Sequence, residues 1–164
     1  MTVPPIEVRE FRVGDQAKVE RLWQSAGVVP QGSDAATVID TYVRARAHHA
    51  TILVAAVSNG ADKSQIAATV IAVDENGREG TLHCVATCRE YRRRGIGRAT
   101  VQAAERLLQS RGVLNIKLRV DEDNAPARAF YRNLGFKEAN SCYLTKTLTT
   151  VSCDNNRLSS AVGN

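Results

Sequence analysis

An α/β (α+β) domain on a mixed, mostly antiparallel central sheet of six to seven strands is the fold class this sequence predicts, and three observations predict it. Three strand-like runs follow one another with only short turn signals between them. Two amphipathic helical patterns precede these runs. A helix, strand, helix alternation follows them, before two closing strands. The order reads β-α-α-β-β-β-α-β-α-β-β, with about four helices flanking the sheet. A length of 164 residues, with 43% hydrophobic and 24% charged side chains, suits one packed domain and not a disordered chain. Residues 1–149 form that domain, and residues 150–164, polar and aperiodic, are expected to be a disordered tail.

Taken in order, residues 6–12 alternate as a strand does, with Ile6 and Val8 on one face. Gly14 and Asp15 then open a helix on which Ala17, Val19, Leu22, Trp23 and Ala26 recur at helical spacing, and Gly27 stands where a terminating glycine belongs. Ser33 and Asp34 cap a second helix that is expected to bury Val38, Ile39, Tyr42 and Val43 and to end near His48 and His49. Runs 51–57, 65–73 and 81–87 read as an antiparallel meander, with turns at Ser58-Asn59-Gly60 and Asp74-Glu75-Asn76-Gly77. Residues 96–111 are a helix with Ile96, Ala99, Ala103 and Leu107 on its stripe, stopped by Gly112. A strand over 115–120, a helix over 124–134 capped by Asn124 with Pro126 in its first turn, and strands over 136–139 and 142–148 complete the order.

The longest nearly apolar stretches, 51–57 and 66–73, fall far short of the roughly 18 residues of a membrane helix. Glu7, Arg9 and Glu10 occupy the place of a signal peptide's apolar region, so a cytoplasmic protein with no membrane partner is expected. Cys84, Cys88, Cys142 and Cys153 form neither a disulfide framework nor a paired C-x-x-C zinc site, and no metal is expected. The net charge of +5 is modest, only eight residues are aromatic, and no nucleic-acid-binding motif is present.

The charge is concentrated. Between Cys88 and Arg98 stand five arginines, Arg89, Arg92, Arg93, Arg94 and Arg98, against one glutamate, so this turn holds four of the net five positive charges. Gly95 and Gly97, two apart at a strand-to-helix junction, let the backbone turn tightly and bring N–H groups close to a ligand. The helix that starts there adds open amides and a positive dipole end. Such a turn binds phosphate. It lacks the Gly-Lys-Ser/Thr of the Walker loop, and Thr100 stands where a dinucleotide fingerprint needs its third glycine. A charge excess this local suits one phosphorylated cofactor better than a nucleic acid.

The run Arg92-Arg93-Arg94-Gly95-Ile96-Gly97 resembles the Arg/Gln-x-x-Gly-x-Gly/Ala signature of the GCN5-related N-acetyltransferase (GNAT) superfamily. The likeness extends through Asn124, Phe130, Tyr131 and Leu134-Gly135-Phe136 and covers residues 6–148. Phe11-Arg12, Leu22-Trp23 and Glu122-Asp123-Asn124 look most like the small bacterial YpeA-type acetyltransferases, and more distantly like the RimI type. The resemblance implies a GNAT fold and an acetyl-CoA-dependent N-acetyltransferase acting on a primary amine, of a small molecule or a protein, by direct attack through a tetrahedral intermediate. It implies that pantetheine lies along the backbone of Val85, Ala86 and Thr87, and that the phosphates meet Arg92, Arg93, Arg94, Gly95, Ile96, Gly97 and Arg98. Asn124 would contact the pantetheine arm, and the Tyr131 hydroxyl would protonate the departing thiolate. Their spacing of seven puts both on nearly one helical stripe, about 10.5 Å apart along the axis.

The base departs from the family pattern. Arg119 stands where RimI-type enzymes have glutamate, and the histone-type base falls at Thr81. Glu79 and His83, on one strand face by the two-residue period, are the candidate base or water relay, each weighed against an exposed structural role. Asp121, Glu122 and Asp123 could hold a cationic substrate or serve the dipole of the following helix. Gln31, Asp34 and Tyr143 are the candidate substrate residues. Cys84 and Cys88 have no partner base that would make either a nucleophile. The missing base keeps a second reading open, a GNAT domain that holds CoA without turnover, and a homodimer is also open.

Overall fold

The computed structural model describes residues 4–44, 49–60 and 64–149. Its elements run β1 (Ile6–Glu10), α1 (Gln16–Ala26), α2 (Ala35–Arg44), β2 (Ala50–Ser58), β3 (Ser64–Asp74), β4 (Glu79–Thr87), α3 (Ile96–Ser110), β5 (Asn115–Arg119), α4 (Ala125–Asn133), β6 (Lys137–Glu138) and β7 (Tyr143–Thr147). This is the order the sequence predicts. The seven strands form one sheet in the order β1-β2-β3-β4-β5-β7-β6, and β4 with β5 is its parallel pair. The expected tail, residues 150–164, lies outside the described residues.

Side-chain alternation sorts the core into two layers. Val70 and Ala72 of β3 join Leu82, Ile116, Leu118 and Leu144 under α3 and α4, while Ile71 joins Ile52 and Val54 under α1 and α2. Burial on both faces accounts for the almost unbroken apolar runs of β2 and β3.

Local signals place the helices. Gly27 takes the left-handed conformation (φ 65) that ends α1, and Asp34 accepts the Thr37 N–H at 2.9 Å to start α2. The Asn124 side chain accepts from Ala127 N–H at 3.3 Å to start α4, with Pro126 in its first turn. A 3-10 turn, Val13–Asp15, precedes α1 and delays its start to Gln16.

Two expectations are corrected. Val43 is 41% exposed because Val38 and Ile39 fill the buried stripe of α2 and Tyr42 covers its end. The expected end of that helix near His48 falls partly outside the described residues. On α3 the fully buried face is Ile96, Thr100, Val101, Ala104 and Leu108, while Ala99, Ala103 and Leu107 are half-buried flanks. Thr100 disguises that face in the sequence, yet it is tolerated inside because its hydroxyl donates to Ile96 O at 2.8 Å.

The join between β1 and α1 is ionic. Arg9 Nη1 and Nη2 donate to the two carboxylate oxygens of Asp15 at 2.7 and 3.0 Å, and Asp15 also accepts the Arg12 N–H at 2.8 Å. Burial alone would push the Asp15 carboxyl up. The Arg9 fork and the Arg12 amide outweigh it and hold the carboxyl below its usual range. We therefore expect Asp15→Asn to cost about 3 kcal/mol in urea unfolding at pH 7, because it leaves the Arg9 guanidinium half-paired in a buried site. Since the folded-state pKa is depressed, this contribution is fully present above the unfolded value of about 3.9 and is lost as pH falls through the folded value. The gap between wild type and variant should close in acid.

Candidate active site

One extra residue in β4 shapes the centre of the protein. Ile71 pairs with His83, but Thr69 pairs with Ala86, so Val70 stands opposite both Cys84 and Val85. Cys84 takes φ 47, a conformation a non-glycine residue adopts only when its surroundings enforce it. The enforcement is visible. Thr69 Oγ1 donates to Cys84 O at 3.0 Å and itself accepts from Trp23 Nε1 at 2.8 Å. Cys84 in the bulge and Ala86 beyond it face the α1 and α2 layer, while Val85 packs with the α3 and α4 layer.

The bulge bends β4 away from β5. Their pairing ends at Leu82 with Leu118, although β4 continues to Thr87, so the edge of Val85, Ala86 and Thr87 is left without a β5 partner. A cavity of about 830 Å³ occupies the split. Val28 lines it from the α1 side, and Phe130 and Tyr131 line it from α4, so the cavity passes through the sheet from one layer to the other.

The arginine turn closes one end. Cys88 N–H donates to Ala67 O at 2.7 Å, and the Tyr91 hydroxyl donates to Gln65 at 2.7 Å, which pins the turn to β3. Arg93 (φ 60) and Gly95 (φ 76) are left-handed, which reverses the chain into α3. The first amide of α3 to find its own helix is that of Ala99, donating to Gly95 O at 3.0 Å; those of Ile96, Gly97 and Arg98 form the open helix start. A Cβ on Gly97 would stand 2.7 Å from Thr87 Oγ1, so only glycine lets α3 approach β4 this closely.

Of the residues singled out in the sequence, Val85, Ala86, Thr87, Arg92, Arg93, Gly95, Ile96, Gly97, Arg98, Asn124 and Tyr131 all line this cavity. Arg94 does not. Its guanidinium lies 5.7 Å above the Tyr91 ring. Liners that sequence reasoning missed include Ala26, Ala127, Ala129 and Phe130, small or apolar residues without a chemical signature, and the polar Asn133.

Tyr131 is 7% exposed, its ring held edge-on between Phe130 and Phe136 with centroids 5.0 and 5.5 Å away. Its hydroxyl bonds to no protein group among the described residues. No buried polar side-chain atom is left unmet there, so the hydroxyl opens on the cavity it lines. Burial raises its pKa, and the phenol keeps its proton at neutral pH.

The other candidates lie outside the cavity. Glu79 accepts from Asn115 Nδ2 at 3.1 Å. Asp34 is engaged by the Thr37 amide and hydroxyl, which hold its carboxyl low. Gln31 is exposed, and Tyr143 packs its ring under Lys117. His83 stands on β4 just before the bulge, its ring 5.9 Å from that of Tyr42 and one edge open to solvent. Packing lowers its pKa, with Glu75 pulling the other way. His83 Nε2 is 2.9 Å from Thr81 Oγ1, which is 2.6 Å from Glu75 Oε1. Glu75 was legible in the sequence only as a turn residue. Desolvation pushes the Cys84 thiol up to about 11, which removes it as a nucleophile. Among the described residues no cluster of three or more His, Cys, Asp or Glu side chains could hold a metal ion, and no helix is long and apolar enough to cross a membrane.

Residues 17–136 match the sequence profile of the Acetyltransferase (GNAT) family, well over half of the chain. The chain belongs to the GNAT acetyltransferase family. Solved structures agree on its fold. Ard1 from Thermoplasma volcanium is 21% identical with a TM-score of 0.72, over 88% of this chain and 98% of that one. The ribosomal-protein-S18-alanine N-acetyltransferase from Escherichia coli is 23% identical with a TM-score of 0.71, over 88% and 95%. The PaiA N-acetyltransferase from Thermoplasma acidophilum, solved with coenzyme A, is 20% identical with a TM-score of 0.65, over 88% and 99%.

In this GNAT domain the bulge depends on Thr69. Thr69→Val keeps the shape but strands both the Trp23 N–H and the Cys84 carbonyl in a buried site, which should cost about 2–4 kcal/mol in urea unfolding. Amide exchange at Cys84, Val85 and Ala86 should accelerate more than exchange in β2.

Proposed function

We propose that this GNAT domain is an N-acetyltransferase that carries an acetyl group from acetyl-CoA directly to a primary amine, on a small molecule or a protein. The observation that carries the reading is a single cavity joining a basic helix start to an unpartnered, protonated tyrosine hydroxyl through a split in the sheet. Its residues fit such a cosubstrate. The volume is that of a ligand site, the open amides and Arg92, Arg93 and Arg98 suit phosphates, and the unpaired β4 edge suits an amide-bearing arm. Acetyl-CoA, when bound, supplies an acyl carbon activated as a thioester.

The chain's own groups then have separate tasks. Arginine forks and helix amides bind the phosphates. The backbone of Val85, Ala86 and Thr87 orients the arm as a neighbouring strand would, with the Val85 N–H available to a carbonyl oxygen. Asn124 spends its side-chain oxygen on the α4 cap and keeps its amide N–H groups for the arm. The Tyr131 phenol donates its proton to the leaving sulfur, and its raised pKa ensures that the proton is there to give. His83, two residues before Val85, accepts the proton from the incoming ammonium, its neutral ring favoured by packing and opposed by Glu75.

Release of CoA thiol with a panel of amines, alongside calorimetric titration of acetyl-CoA, tests this. Tyr131→Phe should leave acetyl-CoA affinity within about twofold and lower kcat by at least ~100-fold. Gly97→Ala, which forces α3 from Thr87, should weaken acetyl-CoA binding by about tenfold, or ~1.4 kcal/mol. Tight acetyl-CoA binding with no amine-stimulated release from any acceptor would overturn the catalytic reading in favour of a CoA-holding domain.

A further inference from the structure

We propose that Glu75, acting through the Thr81 hydroxyl, is a positioning residue that fixes His83 as its Nε2–H tautomer and so leaves Nδ1 as the atom that accepts the substrate's proton. The inference rests on the acetyltransferase reading for the last step only.

Proton counting gives the tautomer. Thr81 Oγ1 has one hydrogen and two close partners, Glu75 Oε1 at 2.6 Å and His83 Nε2 at 2.9 Å. An ionised carboxylate only accepts, so the hydroxyl hydrogen lies on the Glu75 side. Toward His83 the hydroxyl oxygen is then an acceptor, and Nε2 must carry the hydrogen. The lone pair of the neutral ring falls to Nδ1.

Glu75 is not needed to build its turn. The Asp74 side chain accepts the Gly77 N–H at 2.6 Å, Asn76 accepts the Arg78 and Glu79 N–H groups at 3.0 and 2.9 Å, and the Glu75 N–H donates to Glu79 O at 2.8 Å. Its carboxylate is left for Thr81. The groups facing His83 are Thr81 on its own strand, Glu75 from the turn before β4, Tyr42 from α2, the adjoining Cys84, whose thiol stays protonated, and the exposed cations Lys117 and Arg119 on the same face of the neighbouring β5. Glu75 is the charge that acts on the ring.

The placement suits the task. His83 precedes Val85 by two residues, with the left-handed Cys84 of the bulge between them. It lies on the α1 and α2 face, where Cys84 Sγ donates to the carbonyl of the cavity-lining Val28 at 3.7 Å. In the proposed step an ammonium N–H bond breaks and its electron pair stays on nitrogen as the nucleophilic lone pair. The proton forms a bond to Nδ1. The resulting imidazolium keeps its Nε2–H on Thr81, and the Thr81 O–H keeps its bond to the Glu75 carboxylate, which offsets the new charge.

Two readouts test it. Nitrogen NMR of histidine-labelled free protein, with His83→Asn assigning the signal, should show the Nε2–H form. Thr81→Val should shift it toward the Nδ1–H form, and Thr81→Ser should restore it. In the pH profile of kcat/KM, Glu75→Gln should move the acid limb to lower pH, because a lost negative charge makes the imidazolium less favourable. It should lower kcat by about tenfold and leave the KM for acetyl-CoA unchanged. An Nδ1–H ring in the wild type, a tautomer unmoved by Thr81→Val, or an acid limb unmoved by Glu75→Gln, would overturn the proposal. A wild type with the Nε2–H signal intact that acetylates no amine would instead overturn the acetyltransferase reading and its proton-acceptance step, while the tautomer assignment stands.

Discussion

The Thr69 hydroxyl sits between the Trp23 indole N–H and the Cys84 carbonyl, and this pair of buried bonds is what makes an extra residue in β4 tolerable. A bulge in the middle of a sheet leaves a ladder carbonyl without its strand partner, and in a dry core that deficit would favour straightening the strand. With the carbonyl satisfied from the side, Cys84 can hold its left-handed backbone and β4 can leave β5 after Leu82. The sheet thus opens with the bulge carbonyl satisfied, and a ligand-sized passage runs through a layer that would otherwise be closed.

Charge and shape cooperate at the far end of that passage. The basic excess sits where two left-handed residues and the close approach of Gly97 to Thr87 aim a helix start at the cavity. Arginines on an open surface would bind anions weakly and in many poses. Here the fixed amides set the pose and the arginines add attraction. Arg94 has the opposite assignment, stacking on Tyr91 and thereby stiffening the turn.

The sequence and the structure agree where the signal is local. The meander was legible because β2, β3 and β4 are continuous apolar or alternating runs bounded by turn residues, and α4 because Asn124, Pro126 and Leu134-Gly135 mark its ends. The arginine and glycine turn carried its own chemistry. What escaped was long-range or disguised: Trp23 and Thr69 are 46 residues apart, Thr100 hides its burial behind a hydroxyl bonded to its own helix, and Glu75 looks like any acid in a polar turn. The small and apolar residues that line the cavity escaped for a related reason, since what they contribute is space.

The insulated thiol of Cys84 has a consequence for housekeeping at such a site. With the group pushed up to about 11, almost all of it stays protonated at neutral pH. A sulfur held that way, turned toward the α1 and α2 layer, attacks disulfides only slowly. The bulge that opens the passage therefore also keeps its cysteine chemically quiet, so that thiol chemistry at the site is left to the ligand.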